Sequence, residues 1–356
     1  MSRHLTMNDI ARLADVSVAT VSRVLSNSPN VRDDTRARVL AVVKEHQYEP
    51  SYVARSLSTS KTRTVGVVID DIANPFFMEL AKGAEQVVRQ QGYTMLLTCS
   101  NWDRDVEHDL VRALVRNRVE GVLIAAIDPE ADSIRLLRSS GVPFVLMNCW
   151  SSDNTVSSVS GDSYAGGELA GNCLLRADVQ QYICLFGVPH QSSDERARGF
   201  LDAVAAGHPS APLETYYDVE TFDQGYEIVS RLAAVHRIDR VRTGIFASND
   251  FVAMGVVDSL VDHGISVPEQ VSVVGFDDIE FAARYRVPLT TVAQPKTTMG
   301  ELAAGALLDR LEQPNRDGRR LVLKPRLVVR DTCRPSTERS AQLRAPINTT
   351  ETHEHT

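Results

Sequence analysis

Apolar positions change rhythm along the chain. Up to about residue 48 they recur three and four apart in short bursts: Ile10, Leu13 and Ala14, then Val21, Val24 and Leu25, then Val39, Leu40 and Val43. That spacing puts each burst on one face of a short helix. Thr6 or Asn8 can cap the first helix and Ser17 the second, and Asp33 or Asp34 starts the third. Asp15-Val16 leaves only a minimal turn between the first two. Three short helices sharing one small core, the first pair joined this tightly, predict a helix-turn-helix unit over residues 1–50.

From Thr64 onward the pattern is different. Short continuous apolar runs alternate with amphipathic stretches. "TVGVVID" precedes a predicted helix from about Pro75 to Gln91, and "YTMLLTC" one near Val106 to Arg116. "GVLIAA" and "PFVLMN" follow. Asp162 opens a helix through Leu175, then come "YICLFG", a helix near Glu195 to Ala206, and "LETYYD". A helix over Phe222 to Ala234, "TGIFAS", a helix from Asp250 to His263 and "VSVVGF" continue the alternation. Strands this uniformly apolar belong to parallel sheet covered on both faces. They are too numerous for one tidy sheet, so the body reads as α/β, in two similar doubly wound lobes. Between head and body, Ser51 to Leu57 has helical spacing (Val53, Ala54, Leu57) but is too short to be stable alone. The polar Ser58 to Arg63 run that follows reads as linker.

Charge sharpens this division. The 356 residues carry a net charge of -8. Residues 1–63 hold ten Lys and Arg against six Asp and Glu, whereas the remainder holds 28 against 40. A basic head on an acidic body suits a polyanion at the front only. The five cysteines, Cys99, Cys149, Cys173, Cys184 and Cys333, are odd in number and lack CxxC spacing, and four sit in apolar or semi-apolar stretches, where a reduced cysteine is a small hydrophobe. No run of 18 apolar residues occurs, and Arg3, Asp9, Arg12 and Asp15 occupy the place of a secretion core. A cytoplasmic protein without a membrane anchor is expected.

The outward positions of the second helix suit DNA. Val18 and Ala19, in its first turn, are small enough for close approach, and Val18 can touch a thymine methyl. Arg23, one turn on, presents a forked donor to guanine or phosphate. Thr6, Ser17, Thr20, Ser22, Ser26 and Thr35 supply hydroxyls for phosphate oxygens, which position the protein without reading sequence.

With "MNDIARLADVSVATVSRVL", then "TRARVLAVVKEHQYEPSYVARSL" and the alternating body, the chain resembles the lactose-repressor/galactose-repressor family of bacterial transcription regulators. The resemblance implies hinge helices that pair in the minor groove, with Leu57 as an apolar wedge and Ala54 its small neighbour. It also implies two lobes like those of periplasmic sugar-binding proteins, interleaved in sequence. The expected divisions are a hinge and linker over 51–63 and a body over 64–332. One lobe takes about 64–158 plus 293–322, the other about 159–292 plus 323–332. A polar tail, 333–356, without leucine heptads, is expected to be disordered.

In such folds ligands sit beyond the carboxyl ends of strands, and a cleft between lobes is a natural site. The first lobe offers Asp70, Asp71, Phe76 and Phe77 after its first strand, then Ser100, Asn101 and Trp102, then Asn148 and Trp150. The second offers His190 and Ser192, with Arg196 as the effector-binding arginine the resemblance implies, then Asn249, Asp250 and Asp277. Asp250 has a helix-capping position. The candidate effector set is Asp71, Phe76, Phe77, Asn101, Asn148, His190, Ser192, Arg196, Glu220, Asn249 and Asp277. Asn, Arg and Asp converging on one cleft suit adjacent hydroxyls. Glu220 and His190 stand where purine-binding relatives carry an aromatic and an arginine, which favours a sugar, polyol or sugar derivative.

These residues lead to an operator-binding regulator, with repression the output the resemblance implies, controlled by a small carbohydrate effector. One head reads one half-site, so a homodimer on a pseudo-palindromic operator is expected. An enzyme using the same cleft is the competing class. GxSxG, GxxxxGK[ST], HExxH and a GxGxxG after the first strand are all missing, and only His353 and His355 in the tail have metal spacing. No cofactor, metal site or catalytic residue is expected. A cytosolic sugar-binding protein without DNA activity fits the body but not the basic head.

Overall fold

The computed structural model describes residues 5–25, 28–48, 62–238, 240–313 and 317–334. The hinge candidates Ala54 and Leu57, Ser26, and the tail beyond Arg334 lie outside them.

The head consists of α1 (Met7–Leu13), α2 (Val18–Leu25) and α3 (Asp33–Glu45). Thr6 starts α1 in a reciprocal capping box with Asp9. Ser17 starts α2, its Oγ accepting from the Thr20 N–H at 3.1 Å. Asp15, at a left-handed φ of 50°, makes the turn between them. Ile10, Ala11, Ala14, Val21, Val24, Val39 and Tyr48 form the small buried core. Leu13 and Leu40, expected inside, are both 46% exposed. Helical spacing defines a stripe, and these two lie at its edge, where a three-helix core is too small to cover them.

The body contains two six-stranded sheets. The first is built from β1 (Thr64–Ile69), β2 (Thr94–Cys99), β3 (Gly121–Ile124), β4 (Phe144–Met147), β5 (Ser157–Gly161) and β11 (Arg320–Leu323). Its order is β11-β5-β4-β3-β1-β2. Its helices are α4 (Pro75–Gln90), α5 (Arg104–Arg116), α6 (Asp132–Ser140) and α11 (Lys296–Glu312). The second sheet takes β6 (Gln181–Leu185), β7 (Leu213–Tyr216), β8 (Thr243–Ala247), β9 (Val271–Asp277), β10 (Thr290–Ala293) and β12 (Arg326–Val328), in the order β12-β10-β9-β8-β6-β7. Around it lie α7 (Ser163–Arg176), α8 (Gln191–Gly207), α9 (Phe222–Ala234) and α10 (Asp250–Asp262). In the first sheet the pairings from β11 through to β1 are parallel, and in the second all are parallel except β10 with β12. Strands such as β3, β8 and β9 are buried along their whole length, which explains their unbroken apolar runs.

Several boundaries move. All of β5 pairs in the first sheet and all of β10 in the second, so the chain changes lobes after residue 161 and after 293. The helix α6 was not anticipated, and Gly141 ends it in a left-handed cap. Asn249, not Asp250, caps α10: its Oδ1 accepts from the Val252 N–H at 2.8 Å. Asp250 turns inward instead, accepting from Thr291 Oγ1 and the Ile279 N–H. Cys333, assigned to the tail, is fully buried with its Sγ 3.5 Å from that of Cys173.

Helix pairs in both lobes approach through glycine. A Cβ on Gly83 of α4 would strike the Thr297 carbonyl of α11, and one on Gly300 of α11 the Leu80 carbonyl of α4. In the second lobe Gly167 of α7 meets the Arg196 carbonyl of α8, and Gly199 of α8 meets the Tyr164 carbonyl of α7. Each backbone seats directly on its neighbour.

Candidate functional site

Residues from the strand ends, following loops and helix starts of both lobes line one cleft. The first lobe supplies an aromatic wall. Asn74 caps α4 by accepting from the Phe76 N–H at 3.0 Å, with Pro75 as the first helical residue, so Phe76 and Phe77 occupy the first turn. Their rings meet edge to face at 5.0 Å, and Phe77 meets Trp102 in the same way at 5.8 Å. Trp102 follows β2, where it and Asn101 both hold left-handed backbones, at φ 61° and 52°. Non-glycine residues in that region carry strain, tolerated where a side chain must be aimed. The indole Nε1 is buried without a hydrogen-bond partner.

The second lobe supplies polar groups. His190 caps α8, its Nδ1 accepting from the Ser193 N–H at 3.2 Å. Its ring stacks on Trp102 across the cleft at 5.1 Å and 9°. Burial, then the charge of Arg196, pushes its pKa down to about 3, so it stays neutral. Arg196 lies on the same helix with its guanidinium 3.6 Å above the Phe276 ring, donating through Nη1 to the Ser248 carbonyl. Its Nε is buried without a partner.

Carboxylates converge on the same space. Asp277 ends β9, and its Oδ1 accepts from Gln294 Nε2 at 2.9 Å. Burial raises its pKa to about 6 against the opposing pull of Arg196. Glu220, half-buried after β7, accepts the Val188 N–H at 2.7 Å through Oε1 and faces Asn249 Nδ2 at 3.4 Å through Oε2. Burial lifts it to about 7, opposed by the Val188 N–H and Arg196. Desolvation thus outweighs the attraction of the nearby cation at both carboxylates.

Of the sequence-derived candidates, Phe76, Phe77, Asn148, His190, Arg196, Glu220, Asn249 and Asp277 line the cleft. Ser192 does not. It is buried behind the lining and links the lobes, accepting from Asn148 Nδ2 at 3.3 Å and reaching His190 Nδ1 at 3.1 Å. Asp71 and Asn101 also stand outside the lining. Asp71 turns back to the Ala73 N–H at 2.7 Å, and Asn101 is exposed, accepting from Cys99 Sγ at 3.2 Å. Short polar side chains in tight turns satisfy local backbone first. Asn74, Ser193 and Ser248 were missed, and Trp102 had been noted only as lying at a strand end. The signals were local: Asn before Pro75, and a Ser beside each chosen residue. Among the described residues, no cluster of three His, Cys, Asp or Glu could hold a metal ion.

In the head, Val18, Ala19 and Arg23 are exposed on α2. Ser17 and Thr20 hydroxyls bond to each other at 2.8 Å, Thr6 is engaged with Asp9, and Thr35 with Asp34. Each hydroxyl therefore serves a helix start while keeping a lone pair available. Ser22 is half-buried on α2.

Residues 6–51 match the family described as "Bacterial regulatory proteins, lacI family", and residues 174–333 match a "Periplasmic binding protein-like domain". The ribose operon repressor of Haemophilus influenzae is 33% identical over 332 residues, 92% of this chain and 98% of that one. The HTH-type transcriptional repressor PurR of Photobacterium profundum is 32% identical over 330 residues, 91% and 97% of the two chains. Among solved structures, a LacI family transcriptional regulator from Enterococcus faecium with bound ribose is 29% identical, with a TM-score of 0.68 over 77% of this chain and 100% of that one. No helix among the described residues is long and apolar enough to cross a membrane.

Proposed function

The chain belongs to the lacI family of bacterial regulatory proteins, and on that premise we propose that it is a sequence-specific transcriptional repressor whose grip on operator DNA is set by a small polyhydroxylated effector held between the lobes. It acts as a cytoplasmic homodimer, one head per half-site, by binding and not by catalysis.

The observation that carries the effector reading is Arg196. A buried guanidinium with an unpartnered Nε, flattened on Phe276 and facing Glu220, Asn249 and Asp277, supplies a donor fork opposite acceptors. Vicinal hydroxyls satisfy both at once, because each can donate and accept. The aromatic wall opposite takes the apolar face of a sugar ring. Two relatives of nearly equal identity are named as a ribose operon repressor and as the repressor PurR. The carboxylates favour the hydroxyl-rich ligand, since a purine brings few donors to match them.

In the head, Val18, Ala19 and Arg23 read base edges while Thr6, Ser17, Thr20, Ser22 and Thr35 hold phosphates. Ser26, Ala54 and Leu57 keep the roles the sequence suggests. Effector binding changes the angle between the lobes, and operator affinity changes with it by about 5–150-fold, a coupling of about 1–3 kcal/mol.

The test is to recover an operator by selecting bound duplexes from a random pool, then to titrate it by fluorescence anisotropy with and without candidate sugars. Arg196→Ala should abolish the sugar response while the wild-type protein retains it. An unchanged response would remove Arg196 from the site, and equal affinity for all duplexes would end the repressor reading.

A further inference from the structure

The cleft's two walls form an unusual pair for a ligand made only of hydroxyls. On one side Phe76, Phe77 and Trp102 present a continuous run of aromatic rings, each meeting the next edge to face. On the other stands Glu220, a carboxylate that the local chain is shaped to hold. Gly187 makes room for it, since a Cβ there would collide with Glu220 Oε1. The Val188 N–H fixes the same oxygen at 2.7 Å, leaving Oε2 with only the long 3.4 Å approach of Asn249 Nδ2.

The charges do not cancel. Arg196 is the one cation lining the cleft among the described residues, against Glu220 and Asp277. Arg196 makes no ion pair with either: its Nη1 goes to the Ser248 carbonyl and its Nε has no partner. Asp277 is answered separately by Gln294, and Lys296 Nζ caps its carbonyl at 2.6 Å. Glu220 has no cation of its own among these contacts. Aromatic faces opposite an uncompensated carboxylate are the combination that holds an alkylammonium: ring quadrupoles attract the cation and the carboxylate accepts its N–H bonds.

We propose that the effector is an aminated sugar whose ammonium group is received by Glu220, with its ring against the aromatic wall of the first lobe. This rests on the inter-lobe cleft being the effector site. It makes Glu220 the residue that selects amine over hydroxyl, and gives Trp102 a role the sequence did not assign.

The proposal has a consequence that a purely structural carboxylate lacks. Glu220, lifted to about 7 by burial, is partly protonated at neutral pH in the free protein. The charged groups around it are Arg196, Asp277 and Asp71, with Asp70 further back, so ionisation is favoured by the Val188 N–H and Arg196 and opposed by burial and the neighbouring acids. An arriving ammonium tips the balance and expels the proton. Amine binding should therefore release protons near pH 7, whereas a neutral sugar should release none.

The experiment is isothermal calorimetry on the full-length dimer with glucosamine, galactosamine and mannosamine against glucose, galactose and mannose, in buffers of different ionisation enthalpy. At least one amine should bind about 10–100-fold tighter than its parent sugar, as expected for a charge-assisted contact of about 1.5–3 kcal/mol, and should release protons. Glu220→Gln should bring that ratio close to one. If that variant does not fold, proton release by the wild type decides alone. Equal binding of amine and parent, amine binding without proton release, or no amine binding at all would overturn the proposal. Binding of the neutral sugars alone would leave the cleft as the effector site. Absence of binding by either class, with an Arg196→Ala protein indistinguishable from wild type, would count against the cleft itself.

Discussion

The two lobes share a plan and differ in what they bring to the cleft. Each has six strands with the same crossing pattern, an edge strand supplied late in the chain, and a helix pair locked through reciprocal glycines. Their strand ends are unlike. The first lobe places Phe76, Phe77 and Trp102 there, and the second places His190, Arg196, Glu220 and Asp277. A common scaffold therefore separates two jobs, an apolar platform and a polar grip. Fold is carried by the strand interiors, and chemistry by the strand ends and the loops and first helical turns that follow them.

The scaffold half of this comparison is open to the largest perturbation. Gly300→Ala and Gly199→Ala each force a methyl into a carbonyl on the facing helix. Each should destabilise its lobe by about 1–3 kcal/mol, read from urea midpoints. Equal losses support one device used twice. A loss confined to one lobe would show that the likeness is only topological. Gly199→Ala should in addition weaken effector binding, because the α7–α8 seat includes the backbone carbonyl of Arg196.

The polar wall can be probed through pH. Glu220 and Asp277 have folded pKa values raised to about 7 and about 6, so they stabilise fully below the ordinary carboxylate range, and that contribution is lost as pH rises through these values. His190, pushed down to about 3, does the opposite: its contribution holds above about 6.5 and fades as pH falls toward 3. The two windows overlap and oppose each other, so stability without ligand should peak near the ordinary carboxylate range, about pH 4, and fall on either side with slopes up to about 1.4 kcal/mol per pH unit for one whole proton. Glu220→Gln should flatten the alkaline limb and His190→Asn the acid one. A stability profile untouched by either variant would mean that the cleft is far wetter than its geometry implies.

The smallest effect concerns the seam between the walls. Ser192→Ala removes the hydroxyl joining Asn148 to His190 and should cost about 0.5–1.5 kcal/mol. It should also increase the fraction of open lobes seen by small-angle scattering. No change in either quantity would assign closure to the Trp102–His190 stack and the Trp150 N–H bond to Gln191 instead.

The sequence was most informative where burial is uniform. Unbroken apolar strands such as "VSVVGF" announced a covered parallel sheet, and Phe222–Ala234 was bounded correctly because its face is amphipathic and Thr221 caps it. It was least informative at caps and turns, where one residue decides the geometry. Asn249 and Asp250 differ by one position and exchange roles, since either can cap but only one can point inward to Thr291. Asp71 and Asn101 failed as lining residues for the same reason: a tight turn consumes their oxygens locally. Trp102 was visible as a letter but not as a wall, because its aim depends on two successive left-handed residues that spacing does not reveal.

The contact of Gly167 with the carbonyl of Arg196 reaches beyond stability. A helix resting on bare backbone has no side-chain cushion to compress, so it can neither slide nor roll by small steps. Descendants of this chain that come to answer a different metabolite must therefore keep the axle of the second lobe where it is. They would change only the letters at the rim, and their ancestry should be most readable in the residues that never meet the ligand.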